Sequence, residues 1–384
     1  MQTYARLPVT FSHGEGTYLF DNEGRRYLDA LSGISVTNLG HAHPAVTAAI
    51  QHQAGRLLHT SNLYHIATQD ALAEALTKAS GMDRVFFGNS GAEANEAAIK
   101  LARLYGHQRG CKKPAIIVFE GAFHGRTLAT LSATGNRKIQ AGFEPLVSGF
   151  IRAPFNDLPA VQQIARNNPD VVAILVEPIQ GEGGIRVADT DFMHGLRALC
   201  DQHQWLLMLD EVQCGNGRSG HYFACQGMGL VPDIITTAKG LANGVPIGAC
   251  LARGAAAEVF SAGHHGSTYG GNPLACAAGL AVVNTICDQQ LAARATVAGA
   301  YLRQQLEQGL ADYPGLVDIR GRGLMIGVQL RRDCGELVAK ALQAGLLINV
   351  TAGSTIRLLP PLTISDAELD ELASGLITLI RDFD

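Results

Sequence analysis

The sequence predicts an α/β protein, with a mainly parallel sheet covered on both faces and a smaller α/β lobe. Three observations lead there. Short runs rich in Val, Ile and Leu (Val85–Phe87, Ala115–Phe119, Val171–Val176, Trp205–Leu209 and Ile234–Thr236) are apolar throughout and flanked by turn residues, as strands buried on both faces are. Stretches with helical spacing lie between them: Glu93–Tyr105 places Ala94, Ala97, Ala98, Leu101, Ala102 and Tyr105 at three- and four-residue intervals, and Gln69–Lys78 and Asp191–His203 behave alike. The rhythm changes after Cys276. Strands alternating with helices imply parallel pairing.

Taken in order, the first 40 residues hold a hairpin-like stretch, Thr17–Leu28, expected to pack with the smaller lobe. The strand–helix alternation then fills the middle of the chain. A single long helix is expected over Ala277–Leu306. Beyond it come runs at Val317–Arg320 and Leu324–Gln329, a helix at Gly335–Ala344, a run at Ile356–Leu359 and a final helix. The expected division is an N-terminal segment 1–45, a large domain 46–280 and a small domain 281–384.

Composition narrows the function. Of 384 residues, 47% are hydrophobic and 17% charged, enough apolar surface for a sizeable core. The formal charge of −4 offers no footprint for nucleic acid or an anionic membrane. No apolar run approaches the roughly 20 residues that span a bilayer. No export signal is visible at the N-terminus, so a cytoplasmic location is expected. The eight cysteines include no pair with CxxC spacing, so neither a metal site nor a disulfide framework is expected. Asn349-Val350-Thr351 matches a glycosylation acceptor and is taken as chance.

Ligands in parallel sheets bind beyond the carboxyl ends of the strands, so the residues after each apolar run matter most. Gly88-Asn89-Ser90-Gly91-Ala92 turns from strand into helix, exposing backbone N–H groups that suit a phosphate; the plainer reading is an ordinary turn capped by Ser90. Asp210 ends a buried strand, where a carboxylate needs a cation or donors: either a buried ion pair or a ligand's positive nitrogen. Lys239 follows another strand, and a desolvated lysine there becomes nucleophilic, unless it merely reaches to solvent. Phosphate cradle, carboxylate and lysine together form the parts list for pyridoxal phosphate (PLP). Gly215-Asn216-Gly217-Arg218-Ser219-Gly220 fits GxGxxG, but no amphipathic helix follows it, as a dinucleotide site requires. A nicotinamide oxidoreductase and a catalytically silent interaction protein are the rival readings.

Six segments occur in order: Asn89–Ala97, Phe123-His124-Gly125-Arg126-Thr127, Glu177–Gly184, Asp210-Glu211-Val212-Gln213, Ala238-Lys239-Gly240 and Ser267–Leu274. With them the chain resembles the class III aminotransferases from about Gly14 to the C-terminus. The resemblance implies PLP-dependent transferase fold type I, with a seven-stranded sheet in the large domain, and a homodimer with shared active sites. It also implies that Lys239 joins the cofactor covalently, Asp210 pairs with its pyridine nitrogen and Gln213 contacts its 3-oxygen. Phe123 and Val212 would pack on the two ring faces. Ser90, Gly91 and Ala92 would hold the phosphate with Thr268 from the second subunit, and that subunit's Ser267 would lie near the substrate.

By the same resemblance Arg126 would bind the α-carboxylate of an ω-amino donor. Arg357 would bind that of glutamate or 2-oxoglutarate, and Glu182 would mask Arg357 while the donor is present. The expected donor is N-acetylornithine, in arginine biosynthesis, with 4-aminobutyrate, ornithine and succinylornithine as alternatives. Ser219 and Ser267 stand where the family more often has threonine, which bears on fine specificity.

Overall fold

The computed structural model describes residues 1–383. Its centre is a seven-stranded sheet of β1 (Arg84–Gly88), β2 (Ala115–Phe119), β3 (Phe150–Ala153), β4 (Val171–Val176), β5 (Leu206–Asp210), β6 (Ile234–Thr237) and β7 (Gly248–Ala252), in the spatial order β1-β7-β6-β5-β4-β2-β3. β7 runs antiparallel to both neighbours and every other pairing is parallel. β2, β4, β5, β6 and β7 are buried along their whole length, as expected for strands covered by helices on both faces.

The antiparallel strand has a simple cause. Only residues 238–247 separate β6 from β7, too few for the crossover of about a dozen residues that a parallel return needs. The chain therefore doubles back at the carboxyl edge of the sheet, and the return loop begins at Ala238-Lys239. At the same edge Gly248 pairs with Gly88, so the end of β1 and the start of α1 (Gly91–Gln108) lie beside that loop. The topology thus brings residues 88–92, 177, 210–213 and 238–239 to one rim.

A second sheet has the strand order Leu316–Arg322, Met325–Leu330, Thr355–Leu358, Asn349–Thr351. A third joins Phe11–Glu15, Tyr18–Asp21 and Arg26–Asp29 to Leu346–Leu347, with Leu28 opposite Leu346. The N-terminal hairpin is therefore hydrogen-bonded to the C-terminal part of the chain.

Sequence patterning placed the main strands within a residue or two and missed β3 and β7. β7, Gly-Ala-Cys-Leu-Ala, is built of small residues that carry little strand signal. The expected long helix over 277–306 is two helices, Pro273–Asp288 and Leu291–Gly309. Gln290 between them has φ +52°, a left-handed residue that hydrophobic spacing does not register. The Gly215–Gly220 segment forms turns and opens no helix. Among the described residues no helix is long and apolar enough to cross a membrane, and no cluster of His, Cys, Asp and Glu could hold a metal ion.

Candidate active site

A cavity of about 380 Å³ opens at the rim where the strand ends meet. Lys239, Asp210, Ser90, Gly91, Ala92, Phe123, Val212, Gln213 and Arg126 all line it. Lys239 follows β6 with φ +46°, a conformation that a non-glycine residue adopts only where surrounding structure enforces it. Beside it, a Cβ at Gly240 would lie 2.3 Å from Asn38 Nδ2, so the loop is wedged between β6 and the N-terminal segment. Burial lowers the Lys239 pKa from 10.5 to about 8, helped by the positive charge of Arg357 and opposed by Glu182, Asp210 and Glu177. The free amine therefore exists near neutral pH, as a nucleophile requires.

Asp210, only 4% exposed, sits at the centre of a hydrogen-bond network. Its Oδ2 accepts from Asn95 Nδ2 (2.8 Å) and His124 Nδ1 (2.7 Å), and its Oδ1 from the Val212 N–H (3.1 Å). Asn95 is oriented in turn by Thr236 Oγ1, which donates to its Oδ1 at 2.6 Å. The other ring nitrogen of His124, Nε2, is buried without a partner. Glu177 accepts from the N–H groups of Phe123 (2.8 Å) and Gly181 (3.1 Å). Burial, and then the nearby Asp210 charge, raise its pKa well above the ordinary carboxylate range. Three of these side chains, Asn95, His124 and Glu177, carried no assigned role in the sequence. Asn95 could have been found, as a polar residue on the otherwise apolar face of Glu93–Tyr105.

Ser90 is the N-cap of α1. Its Oγ accepts from the Glu93 N–H (3.2 Å), while its carbonyl takes the Ala94 N–H. Helix geometry leaves the Gly91 and Ala92 N–H groups without intrahelical acceptors, at the positive end of the helix dipole. The close approach of Val212 explains the glycine: a Cβ at Gly91 would lie 2.7 Å from Val212 Cγ1.

Arg357 is fully buried and its Nη1 donates to Glu182 Oε1 (2.5 Å) and Gln213 Oε1 (3.1 Å). Burial alone would raise the Glu182 pKa, but the Arg357 charge and hydrogen bond outweigh it and hold the carboxyl below its usual value. Arg357 Nε donates to Asn349 Oδ1 (2.9 Å), so the apparent glycosylation acceptor faces the site. Arg126 is exposed at the mouth, 5.7 Å above the Phe123 ring. Ser267 and Thr268 do not line this chain's cavity. Ser267 Oγ accepts from Asn89 Nδ2 (3.1 Å), and Thr268 is exposed.

A lysine with a lowered pKa, a carboxylate accepting three hydrogen bonds and a helix N-terminus share one rim, an arrangement suited to group transfer of the type the six motifs suggest. The aminotransferase class-III family matches residues 2–380. The acetylornithine aminotransferase of Nitrosomonas europaea is 54% identical over 383 residues, covering 100% of this chain and 98% of that one. N-acetylornithine aminotransferase of Stenotrophomonas maltophilia superposes with a TM-score of 0.86 at 38% identity, over 100% of this chain and 98% of that one. Ornithine aminotransferase of Toxoplasma gondii, crystallised with oxidized glutathione and with partial occupancy of PLP at its active site, gives 0.95 at 34%, over 99% and 91%. The chain belongs to the class III aminotransferases. It is a transaminase.

Replacing Asn95 with alanine removes a charge-assisted hydrogen bond from a buried carboxylate. It should lower unfolding free energy by about 1.5–3 kcal/mol, read from the denaturant midpoint. Arg126→Ala, at the exposed mouth, should change it by less than about 0.5 kcal/mol. Equal effects would mean that the network does not hold Asp210.

Proposed function

We propose that this transaminase uses PLP to move the δ-amino group of N-acetylornithine to 2-oxoglutarate, giving N-acetylglutamate semialdehyde and glutamate in cytoplasmic arginine biosynthesis. One observation carries the chemistry: a lysine with a lowered pKa and a buried carboxylate that accepts three hydrogen bonds line one cavity. The residues present fit the cofactor. The free N–H groups of Gly91 and Ala92 match a phosphate, the apolar faces of Phe123 and Val212 match a flat ring, and Asp210 matches a protonated ring nitrogen.

Lys239 would hold PLP, which when bound would supply an electron sink for the carbon that loses the amino group. Asp210 would hold a proton on the ring nitrogen. The Lys239 amine, tethered at the strand end, would move the proton at the donor carbon. Gln213 would contact the ring's 3-oxygen. Arg126, at the mouth, binds the donor's α-carboxylate; Arg357, deeper, binds that of glutamate or 2-oxoglutarate once Glu182 releases it. Planar guanidinium groups suit both tasks because they meet a carboxylate bidentately. In a homodimer, Thr268 and Ser267 of a second copy would complete the phosphate and substrate sites.

Identity along the whole chain favours the acetyl donor: 54% to the Nitrosomonas acetylornithine enzyme against 34% to the Toxoplasma ornithine enzyme. Single-turnover rates with N-acetylornithine, ornithine, 4-aminobutyrate and succinylornithine test the proposal. N-acetylornithine should give the highest kcat/KM; a wide margin for 4-aminobutyrate would reject the pathway. Arg357→Ala should lower kcat/KM for 2-oxoglutarate by roughly 30-fold or more and spare the donor half. Equal losses in both halves would count against the division of labour.

A further inference from the structure

The Glu182–Arg357 pair stands on a turn that is held from two sides. Residues 181–185 join the short paired strands Ile179–Gln180 and Arg186–Val187. Gly184 has φ +96° and Ile185 φ +53°. A buried β-branched residue in the left-handed region is strained and persists only where its surroundings enforce it.

The small sheet supplies those surroundings through one rung. Arg320 lies opposite Gly327, Gly327 opposite Arg357, and Arg357 opposite Asn349; directly opposed residues share a face. The glycine leaves a gap in this row, and the strained isoleucine fills it. A Cβ at Gly327 would lie 2.9 Å from Ile185 Cβ. On one side of the gap, Arg320 Nε donates to the carbonyls of Gly184 (2.9 Å) and Ile185 (3.2 Å), and its Nη2 also donates to Gly184. Arg320 is itself braced through Nη1 by Asp318 (3.1 Å) and Gln329 (2.6 Å). On the other side, Thr351 Oγ1 donates to the carbonyl of Glu182 at 2.6 Å.

We infer that Arg320, with Gly327 and Thr351, is a positioning residue for acceptor selection. It fixes the turn's backbone to the rung that carries Arg357, so Glu182 covers and uncovers that arginine by rotating its side chain while the turn stays docked. A swing of the whole turn would have to break the Arg320 and Thr351 bonds and unseat Ile185 together. The inference rests on the masking role given to Glu182 above. A dicarboxylate reaching Arg357 must displace a carboxylate whose backbone is anchored, so loosening the anchor makes displacement easier.

Calorimetric titration of the holoenzyme with glutarate, a dicarboxylate lacking amino and keto groups, tests this. Glu182→Ala should bind glutarate roughly fivefold tighter, the change expected from removing one partly exposed competing charge, and Arg357→Ala should bind it more weakly by roughly 30-fold or more. Arg320→Met and Thr351→Val should each tighten binding roughly threefold, and neither should act further once Glu182 is alanine. Thr351→Val keeps shape and removes one hydrogen bond, so the test survives if Arg320→Met does not fold. The inference is overturned if both variants leave the Kd at the wild-type value while Glu182→Ala lowers it, or if they shift it equally with and without Glu182. Unchanged binding in Glu182→Ala or Arg357→Ala defeats the masking role itself, a failure distinct from that of the anchor.

Discussion

A carboxylate buried at the end of a strand constrains the rest of this site. A carboxyl group buried inside the sheet needs hydrogen-bond donors, and each donor to Asp210 fixes a separate element: Asn95 the first turns of α1, His124 the loop after β2, the Val212 N–H the turn after β5. Thr236 on the next strand then fixes Asn95. The following residue faces the same problem and solves it elsewhere. Glu211, also fully buried, accepts from the N–H groups of Ala224 (2.6 Å) and Cys225 (2.8 Å). Adjacent carboxylates thus tie one strand end to two different parts of the core, one of them the cavity.

Chain connectivity supplies the opposing group. The return from β6 to β7 is too short to cross over, so it bends at the sheet's edge and leaves Lys239 there in a left-handed conformation. Burial and Arg357 lower the lysine's proton affinity, while the carboxylates limit how far it falls. The same Arg357 pairs with Glu182 and donates to Gln213, so Lys239, Glu182 and Arg357 belong to one set of interacting charges.

Much of this was legible in the sequence because buried parallel strands are unusually explicit: β2 and β4 were placed residue for residue, and the site residues follow strand ends. The losses have physical causes. β7 consists mostly of small residues and β3 is a part-exposed edge strand, so neither presents an apolar run. The two C-terminal helices share one hydrophobic spacing across a single left-handed glutamine. In the site, the Ser90–Ala92 turn, Asp210 and Lys239 stood out by type and position, whereas the residues that orient another side chain did not. His124 and Glu177 are defined by contacts to Asp210, Phe123 and Gly181, which only the fold brings together. Arg320 lies far along the chain from the turn it holds, and nothing local marks it.

The proposed transamination requires Lys239 to be the amine that reacts, at a pH where an ordinary lysine would not. Cofactor-free protein can be mixed with PLP across a pH series, reduced with borohydride at short times and digested, and the modified peptide identified by mass. The pyridoxyl group is predicted on Lys239, with a capture rate half-maximal near pH 8. Capture on a different lysine, or a midpoint near the ordinary 10.5, would contradict it.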